Sequence, residues 1–117
     1  LQKNIKLGNL NARRDWGHAK DYVEAMWLML QQNKPEDFVI GTGKDYSVED
    51  FAKKAFNHVG LNYKDHIVLD NNLIRPAEED TFLANSNKAK KVLKWEPKIK
   101  FDELVASMVE SDLKNND

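Results

Sequence analysis

The sequence predicts an α/β fold in which strands alternate with about four helices. Short apolar runs of strand length recur along the chain, and longer segments with apolar residues at helical spacing separate them. Capping residues and glycines stand at the boundaries between these segments. No repeat or linker-like stretch divides the 117 residues, so we expect residues 1–117 to be one unit without an internal domain boundary.

The chain opens with a strand, a polar loop and a helix. Residues 1–8 predict the strand, and residues 9–17 form a loop that contains two arginines. Apolar residues at helical spacing predict a helix over 18–32. The middle of this helix is apolar nearly all round, so we expect burial on more than one side, with Met26, Trp27 and Met29 in the core.

A second strand and helix follow. The apolar run 38–40, closed by a Gly-Thr-Gly turn, predicts an interior strand of the kind found in parallel sheets. Ser47 with Asp50 forms a capping-box variant that begins a helix, and Gly60 ends it. The strongly apolar character of the run 38–40 and of the first helix fits a larger sheet that lies outside this chain.

The remaining elements are a strand at 66–69 and two helices. Residues 85–87 are expected to cap a short helix over 88–93, and Trp95 to cap a small hydrophobic cluster. The last helix is predicted over 101–113. Its predicted core stripe consists of Phe101, Leu104, Val105, Met108, Val109 and Leu113.

Composition excludes several functional classes. With 18 Lys+Arg, 19 Asp+Glu and a net charge of −1, the chain lacks the basic excess of a nucleic-acid-binding protein. The absence of cysteine excludes a disulfide scaffold, a thiolate metal site and a cysteine nucleophile. The longest uninterrupted apolar run, 25–30, is far shorter than the ~18 residues of a membrane span. We therefore expect a soluble, cytoplasmic protein that binds neither nucleic acid nor membrane.

Two arginine loops suggest an anion site. Arg13 and Arg14, followed by Asp15, lie between a predicted strand end and a helix start, and Arg75 lies in a second, proline-stiffened segment that also contains Glu78. Two guanidinium groups that reach the same place can hold a diphosphate, and a nearby carboxylate can accept hydrogen bonds from sugar hydroxyls. The alternative is that these are ordinary surface arginines, one of them paired with Asp15.

Other motifs for cofactors or metals are incomplete. The Gly-Thr-Gly turn resembles the start of a dinucleotide-binding loop, but Tyr46 occupies the position of the third glycine. His18, His58 and His66 are far apart in the sequence, so we predict no metal site.

Longer stretches of the chain resemble one enzyme family. Residues 7–31 (LGNLNARRDWGHAKDYVEAMWLMLQ) are similar to a signature of the GDP-mannose 4,6-dehydratases, which are extended short-chain dehydrogenase/reductases. Residues 75–78, 86–90 and 93–97 continue the resemblance in the same order. It covers essentially the whole chain, but only the C-terminal third or so of such an enzyme.

The resemblance implies an NADP-dependent lyase that converts GDP-mannose to GDP-4-keto-6-deoxymannose and water. It assigns Arg14 and Arg75 to the diphosphate, Glu78 to ribose hydroxyls, and Leu7 and Asn9 to the vicinity of the base. The family's catalytic residues and its glycine-rich NADP loop belong to an N-terminal Rossmann part that this sequence does not match. The chain alone is therefore expected to be inactive, and its expected partners are that Rossmann part, GDP-mannose and further copies of the enzyme in a homo-oligomer.

Two alternatives stay open. One is a different nucleotide-sugar dehydratase or epimerase of the same superfamily, because the Arg-Asp-Trp element is shared widely within it. The other is a non-catalytic module that binds a nucleotide sugar or another protein.

Overall fold

Four α-helices and four short strands form the part of the chain that a computed structural model describes, residues 3–74 and 83–115. Single 3₁₀ turns lie at Tyr63–Asp65 and Asn71–Leu73. The predicted α/β class, with about four helices, is confirmed. In chain order the elements are β1 (Ile5–Leu7), β2 (Arg13–Arg14), α1 (Ala19–Leu30), β3 (Tyr46–Ser47), α2 (Val48–His58), β4 (Ile67–Leu69), α3 (Asn87–Val92) and α4 (Phe101–Asn115).

The strands form two separate pairs. β1 and β4 are parallel, with Ile5 opposite Ile67 and Leu7 opposite Leu69. β2 and β3 are antiparallel, with Arg14 opposite Tyr46. The parallel pair is built from the two strands predicted at residues 1–8 and 66–69. β2 of the antiparallel pair lies within residues 9–17, which the sequence predicts to be a polar loop.

Side chains at the predicted positions cap the helices. The Oγ of Ser47 accepts the N–H of Asp50 at 3.0 Å, and the Asp50 carboxylate accepts the N–H of Ser47 at 3.1 Å, so the predicted capping box is confirmed. Gly60 follows the end of α2 with a φ of 77°, a conformation that favours glycine. Before α3, the Asn85 side chain accepts the N–H of Asn87 at 3.1 Å, while the hydroxyl of Ser86 caps nothing.

A small core joins α1, α3 and the loop that follows α3. Trp95 is 1% exposed and packs with Ala25, Ala89 and Leu93, so the predicted cluster at Trp95 is confirmed. Its indole N–H donates to the backbone carbonyl of Asp21 in the first turn of α1, at 2.9 Å. This bond ties two segments of the chain that are 74 residues apart.

The run 38–40 forms no strand in the described structure, and the prediction of an interior strand there is wrong for this chain. Phe38 and Ile40 instead pack against the Trp95 cluster, and Val39 is 54% exposed. A strand requires a neighbour to accept its backbone hydrogen bonds, and no strand within residues 3–74 and 83–115 lies beside this run.

Helix α1 is covered on one side only. Ala25 is fully buried, but Trp27 is 59% exposed and Leu30 81% exposed. The expectations that α1 is buried on more than one side and that Met26 and Trp27 lie in the core are therefore wrong for the chain alone, whereas Met29 is half-buried and packs against the Trp95 cluster. The Cα radius of gyration is 17.0 Å, against about 13 Å for a compact domain of this length. The exposed apolar face of α1 consists of Val23, Met26, Trp27 and Leu30.

The predicted stripe of α4 is buried only in its first half. Phe101, Leu104 and Val105 are each at most 5% exposed, and they pack with α2. Met108 and Leu113 are 47% and 52% exposed, because the described residues cover only part of the second half of the helix. None of the helices in this part of the chain combines the length and the apolarity that crossing a membrane requires.

Candidate functional site

The parallel pair of strands places two loop starts at one edge. β1 ends at Leu7 and β4 ends at Leu69, and because the strands are parallel both carboxyl ends lie on the same side. The N–H of Asp70 donates to the carbonyl of Leu7 at 2.9 Å, which holds the two loop starts together. In α/β proteins the crevice outside the carboxyl ends of the strands is the usual place for a ligand.

Gly8 lies directly against the backbone that leads to Arg75. A Cβ at Gly8 would be 2.6 Å from the carbonyl oxygen of Leu73 and 3.0 Å from the nitrogen of Ile74. The structure therefore brings the segment of Leu7 and Asn9 beside the residue that precedes Arg75. Arg75 and Glu78 themselves lie outside the described residues.

The loop between β1 and β2 is fixed by backbone contacts. The side chain of Asn9 accepts the N–H two residues later at 2.9 Å, which makes a tight turn. The carbonyls of Leu10 and Ala12 accept the N–H groups of Glu49 and Val48 at 3.0 and 2.9 Å, so the loop is bonded to the first turn of α2. These bonds set where β2, and with it Arg14, lies relative to β1.

Neighbouring arginines on β2 have different surroundings. Arg13 donates from Nε and Nη2 to the two carboxylate oxygens of Asp45, at 2.9 and 3.3 Å, and the hydrogen bond to Asp45 raises the pKa of Arg13. Successive side chains of a strand point to opposite faces, so Arg14 is directed away from that pair. Arg14 is exposed, and its Nη1 donates to the carbonyl of Arg13 at 2.7 Å.

Asp15 fixes the Gly-Thr-Gly turn. Its carboxylate accepts the N–H and the hydroxyl of Thr42 at 3.0 and 2.6 Å and the N–H of Gly43 at 3.0 Å. The carboxylate that binds Arg13 is Asp45 rather than Asp15. Because Asp15 occupies the N–H donors of this turn, the turn does not suit a phosphate group.

Packed aromatic rings attach the antiparallel pair β2–β3 to the helices. The indole N–H of Trp16 donates to the carbonyl of Tyr46 at 2.8 Å, and its ring lies 5.0 Å from that of Phe51. The rings of Tyr46 and Phe101 stack at 4.0 Å. β2 and β3 are therefore attached to α2 and α4 through packed rings, a rigid base for Arg14.

The three histidines each make a structural contact. His18 Nδ1 accepts the N–H of Lys20 at 3.0 Å at the start of α1, and His66 Nδ1 lies 2.9 Å from the carbonyl of Lys3. His58 Nε2 lies 3.1 Å from Glu110. Within the part of the chain that the structure describes, no group of histidine and carboxylate side chains is arranged to hold a metal ion.

The resemblance named Arg14, Leu7 and Asn9 as candidates, but the sequence did not reveal the residues that hold these segments in place. Asp15 bonds to residues 27 and 28 positions away, and Arg13 bonds to Asp45 at a separation of 32. Such long-range pairs leave no local pattern. Gly8 did carry a signal, because a glycine at the end of a predicted strand often marks a close approach of backbone.

The sequence profile described as "GDP-mannose 4,6 dehydratase" matches residues 1–108. Among curated proteins, the chain is 50% identical to "GDP-mannose 4,6 dehydratase 1" of Arabidopsis thaliana, over 97% of this chain and 31% of that protein. It is 47% identical to "GDP-mannose 4,6 dehydratase" of Homo sapiens, over 93% of this chain and 34% of that protein. The chain thus spans about a third of the length of the curated relatives it matches.

Solved structures with the same fold are longer as well. A UDP-glucose 4-epimerase from Thermotoga maritima, solved with UDP-glucose, superposes with a TM-score of 0.85 at 26% identity, over 97% of this chain and 36% of that one. A dTDP-glucose 4,6-dehydratase from Bacillus anthracis, solved with NAD, gives a TM-score of 0.80 at 25% identity, over 97% of this chain and 35% of that one.

Proposed function

The chain belongs to the GDP-mannose 4,6-dehydratase family, and from that premise we propose that it is the substrate-binding part of an enzyme that converts GDP-mannose to GDP-4-keto-6-deoxymannose and water. The proposal concerns the whole enzyme. This chain spans about a third of the length of the enzymes it resembles.

One observation carries the assignment of the site. The contact of Gly8 with Leu73 and Ile74 joins the end of β1 to the residue before Arg75, at the edge of the parallel strands where ligands bind. This arrangement supports a site that is shared by Leu7, Asn9 and the segment that begins at Arg75.

Within that site we propose distinct roles. Arg14 and Arg75 bind the diphosphate of GDP-mannose, since guanidinium groups form paired hydrogen bonds to phosphate oxygens. Glu78 accepts hydrogen bonds from ribose hydroxyls, and Leu7 and Asn9 lie near the base. The exposed position of Arg14 on a rigid strand supports its role.

The chain's contribution is to bind and orient the substrate. NADP is the proposed cofactor, and when bound it supplies the hydride chemistry of the reaction. The Gly-Thr-Gly turn does not fit the phosphates of a dinucleotide, because Asp15 occupies its N–H groups and adds a negative charge. We therefore assign NADP to the rest of the enzyme, and no described residue of this chain to NADP.

The rest of the enzyme is also the proposed partner of α1. The exposed apolar face of this helix is suited to pack against a sheet, and the run 38–40 is suited to join one. Solved structures of the same fold extend well beyond the part that this chain matches, which supports an occupant within the same enzyme. We further propose that the full-length enzyme is a homo-oligomer in the cytoplasm.

The substrate is tested with a panel of nucleotide sugars. The full-length enzyme is incubated with GDP-mannose, dTDP-glucose and UDP-glucose in the presence of NADP or NAD, and the 4-keto product is measured. We expect product from GDP-mannose. Product from dTDP-glucose alone, or epimerised UDP-glucose, would show that a related enzyme of the superfamily is the correct assignment. Binding of GDP without turnover of any sugar would indicate a non-catalytic module.

A further inference from the structure

At Gly8 and Gly41 a side chain would collide with a segment distant in the sequence, whereas the close neighbour of Gly17 is the side chain of Tyr22 on the adjacent helix. A Cβ at Gly8 would be 2.6 Å from the Leu73 carbonyl oxygen, and a Cβ at Gly41 would be 2.3 Å from the Cβ of Ala84. Neither glycine has a positive φ, whereas Gly43 and Gly60 do. Space, rather than backbone conformation, is therefore what requires glycine at positions 8 and 41.

Each contact involves a segment of the proposed site. Gly8 lies between Leu7 and Asn9, and it touches the backbone directly before Arg75. Gly41 touches Ala84 on one side and lies 3.0 Å, measured from its ideal Cβ, from the Asp15 carboxylate on the other. Leu73 and Ile74 thus lie beside the end of β1, and Ala84 lies beside Gly41, whose other neighbour is Asp15.

We propose that Gly8 and Gly41 are positioning residues of the nucleotide-sugar site, an inference that rests on the proposed function. The two contacts set how close the chain on either side of residues 75–82 lies to Leu7 and to Arg14. The bonds of Asp15 to Thr42 and Gly43 make the second contact rigid, because they hold the residues after Gly41 against β2.

The two contacts differ in what an added methyl group meets. At Gly8 the nearest atoms are backbone atoms of Leu73, so a methyl group there moves the backbone itself. At Gly41 the nearest atom is the methyl carbon of Ala84, which can be removed by mutation. The contact at Gly41 therefore permits a rescue experiment in which one methyl group is transferred across the contact.

The experiment compares Gly41→Ala, Ala84→Gly and the double variant in the full-length enzyme. A displacement of about 1 Å in a site can cost up to ~100-fold in rate. We expect Gly41→Ala to raise the KM for GDP-mannose and the Kd for GDP by about 10-fold, with kcat changed much less, since binding contacts rather than the reaction are disturbed. Adding Ala84→Gly should return the KM to within about threefold of the wild type.

Gly60→Ala is the matched control. It adds the same methyl group at a position with no atom within 4 Å and a φ of 77°, so it strains the backbone without a steric contact. We expect a lower Tm with an unchanged KM. This variant separates loss of stability from loss of positioning.

The outcomes separate the two proposals. A wild-type KM in Gly41→Ala, or no recovery in the double variant, would overturn the positioning role while leaving the proposed function intact. Failure of the wild-type enzyme to bind GDP would overturn both. If Gly41→Ala does not accumulate as folded protein, Ala84→Val enlarges the other side of the same contact, and a wild-type KM in that variant would equally contradict the inference.

Discussion

Removing the carboxylate of Asp21 should destabilise the fold more than removing any exposed charge of the same helix. Asp21 is 3% exposed, and one of its oxygens accepts the N–H groups of Lys98 and Ile99 at 3.1 and 3.0 Å. Together with the Trp95 bond to the Asp21 carbonyl, these contacts attach the loop before α4 to the first turn of α1.

The expected magnitude follows from the two hydrogen bonds. A bond to a charged acceptor contributes about 1.5–3 kcal/mol, so both together contribute about 3–6 kcal/mol. Both hydrogen bonds are half-buried, so water can partly replace the lost acceptor, which lowers the expected cost of Asp21→Ala to about 3 kcal/mol. Asp21→Asn keeps one oxygen that can accept both N–H groups but loses the charge and replaces the second oxygen with a buried NH2 group, so it should cost less than Asp21→Ala, about 1–2 kcal/mol.

Urea unfolding of the full-length enzyme, followed by tryptophan fluorescence, measures these costs. Glu24→Ala is the control, because Glu24 lies on the same helix and binds Nζ of Lys98 at 3.2 Å, but as an exposed ion pair. It should cost less than about 1 kcal/mol. Equal costs for Asp21→Ala and Glu24→Ala would refute the role assigned to the buried carboxylate.

Three further outcomes are expected. Ser47→Ala removes the capping box of α2 and should lower the free energy of unfolding by about 1 kcal/mol in urea unfolding; no change would contradict the capping role. Burial raises the pKa of Tyr22 above its ordinary value of about 10, so its contribution to stability is complete below pH 10 and is lost as the pH rises through the folded-state pKa. Tyr22→Phe should therefore reduce the loss of Tm above pH 10, and an unaltered alkaline profile would contradict this. Trp27→Lys should reduce light scattering by the isolated chain but lower the Tm of the full-length enzyme; a rise in both would argue against a covered α1 face.

Local patterns in the sequence predicted the elements whose causes are local. The capping box of Ser47 and Asp50 lies within four residues, and the structure has it as predicted. The run 38–40 has the composition of a strand but lacks a partner strand among the described residues, and strand formation depends on that partner. The composition of the run therefore indicates that it can form a strand. Whether it does so depends on a partner strand beside it.

As with the fold, only part of the candidate site could be predicted from the sequence. The residue type and the place of Arg13 and Arg14 between strand and helix pointed to an anion site, and the family resemblance selected Arg14 as the candidate. The partner of Arg13 was not identifiable in this way, because it is Asp45, which lies directly before β3 and 32 residues away along the chain. The close approaches at Gly8 and Gly41 likewise depend on segments more than 40 residues away.

The central claim is that this chain binds the diphosphate of a guanosine sugar nucleotide through Arg14. Isothermal titration of GDP into the full-length enzyme tests it, with Arg14→Ala compared with Arg13→Ala, which removes the adjacent arginine that is paired with Asp45. One charge-assisted contact of about 1.5–3 kcal/mol predicts a Kd about 10- to 100-fold higher for Arg14→Ala, and a change of less than about threefold for Arg13→Ala. An unchanged Kd in Arg14→Ala would contradict the account.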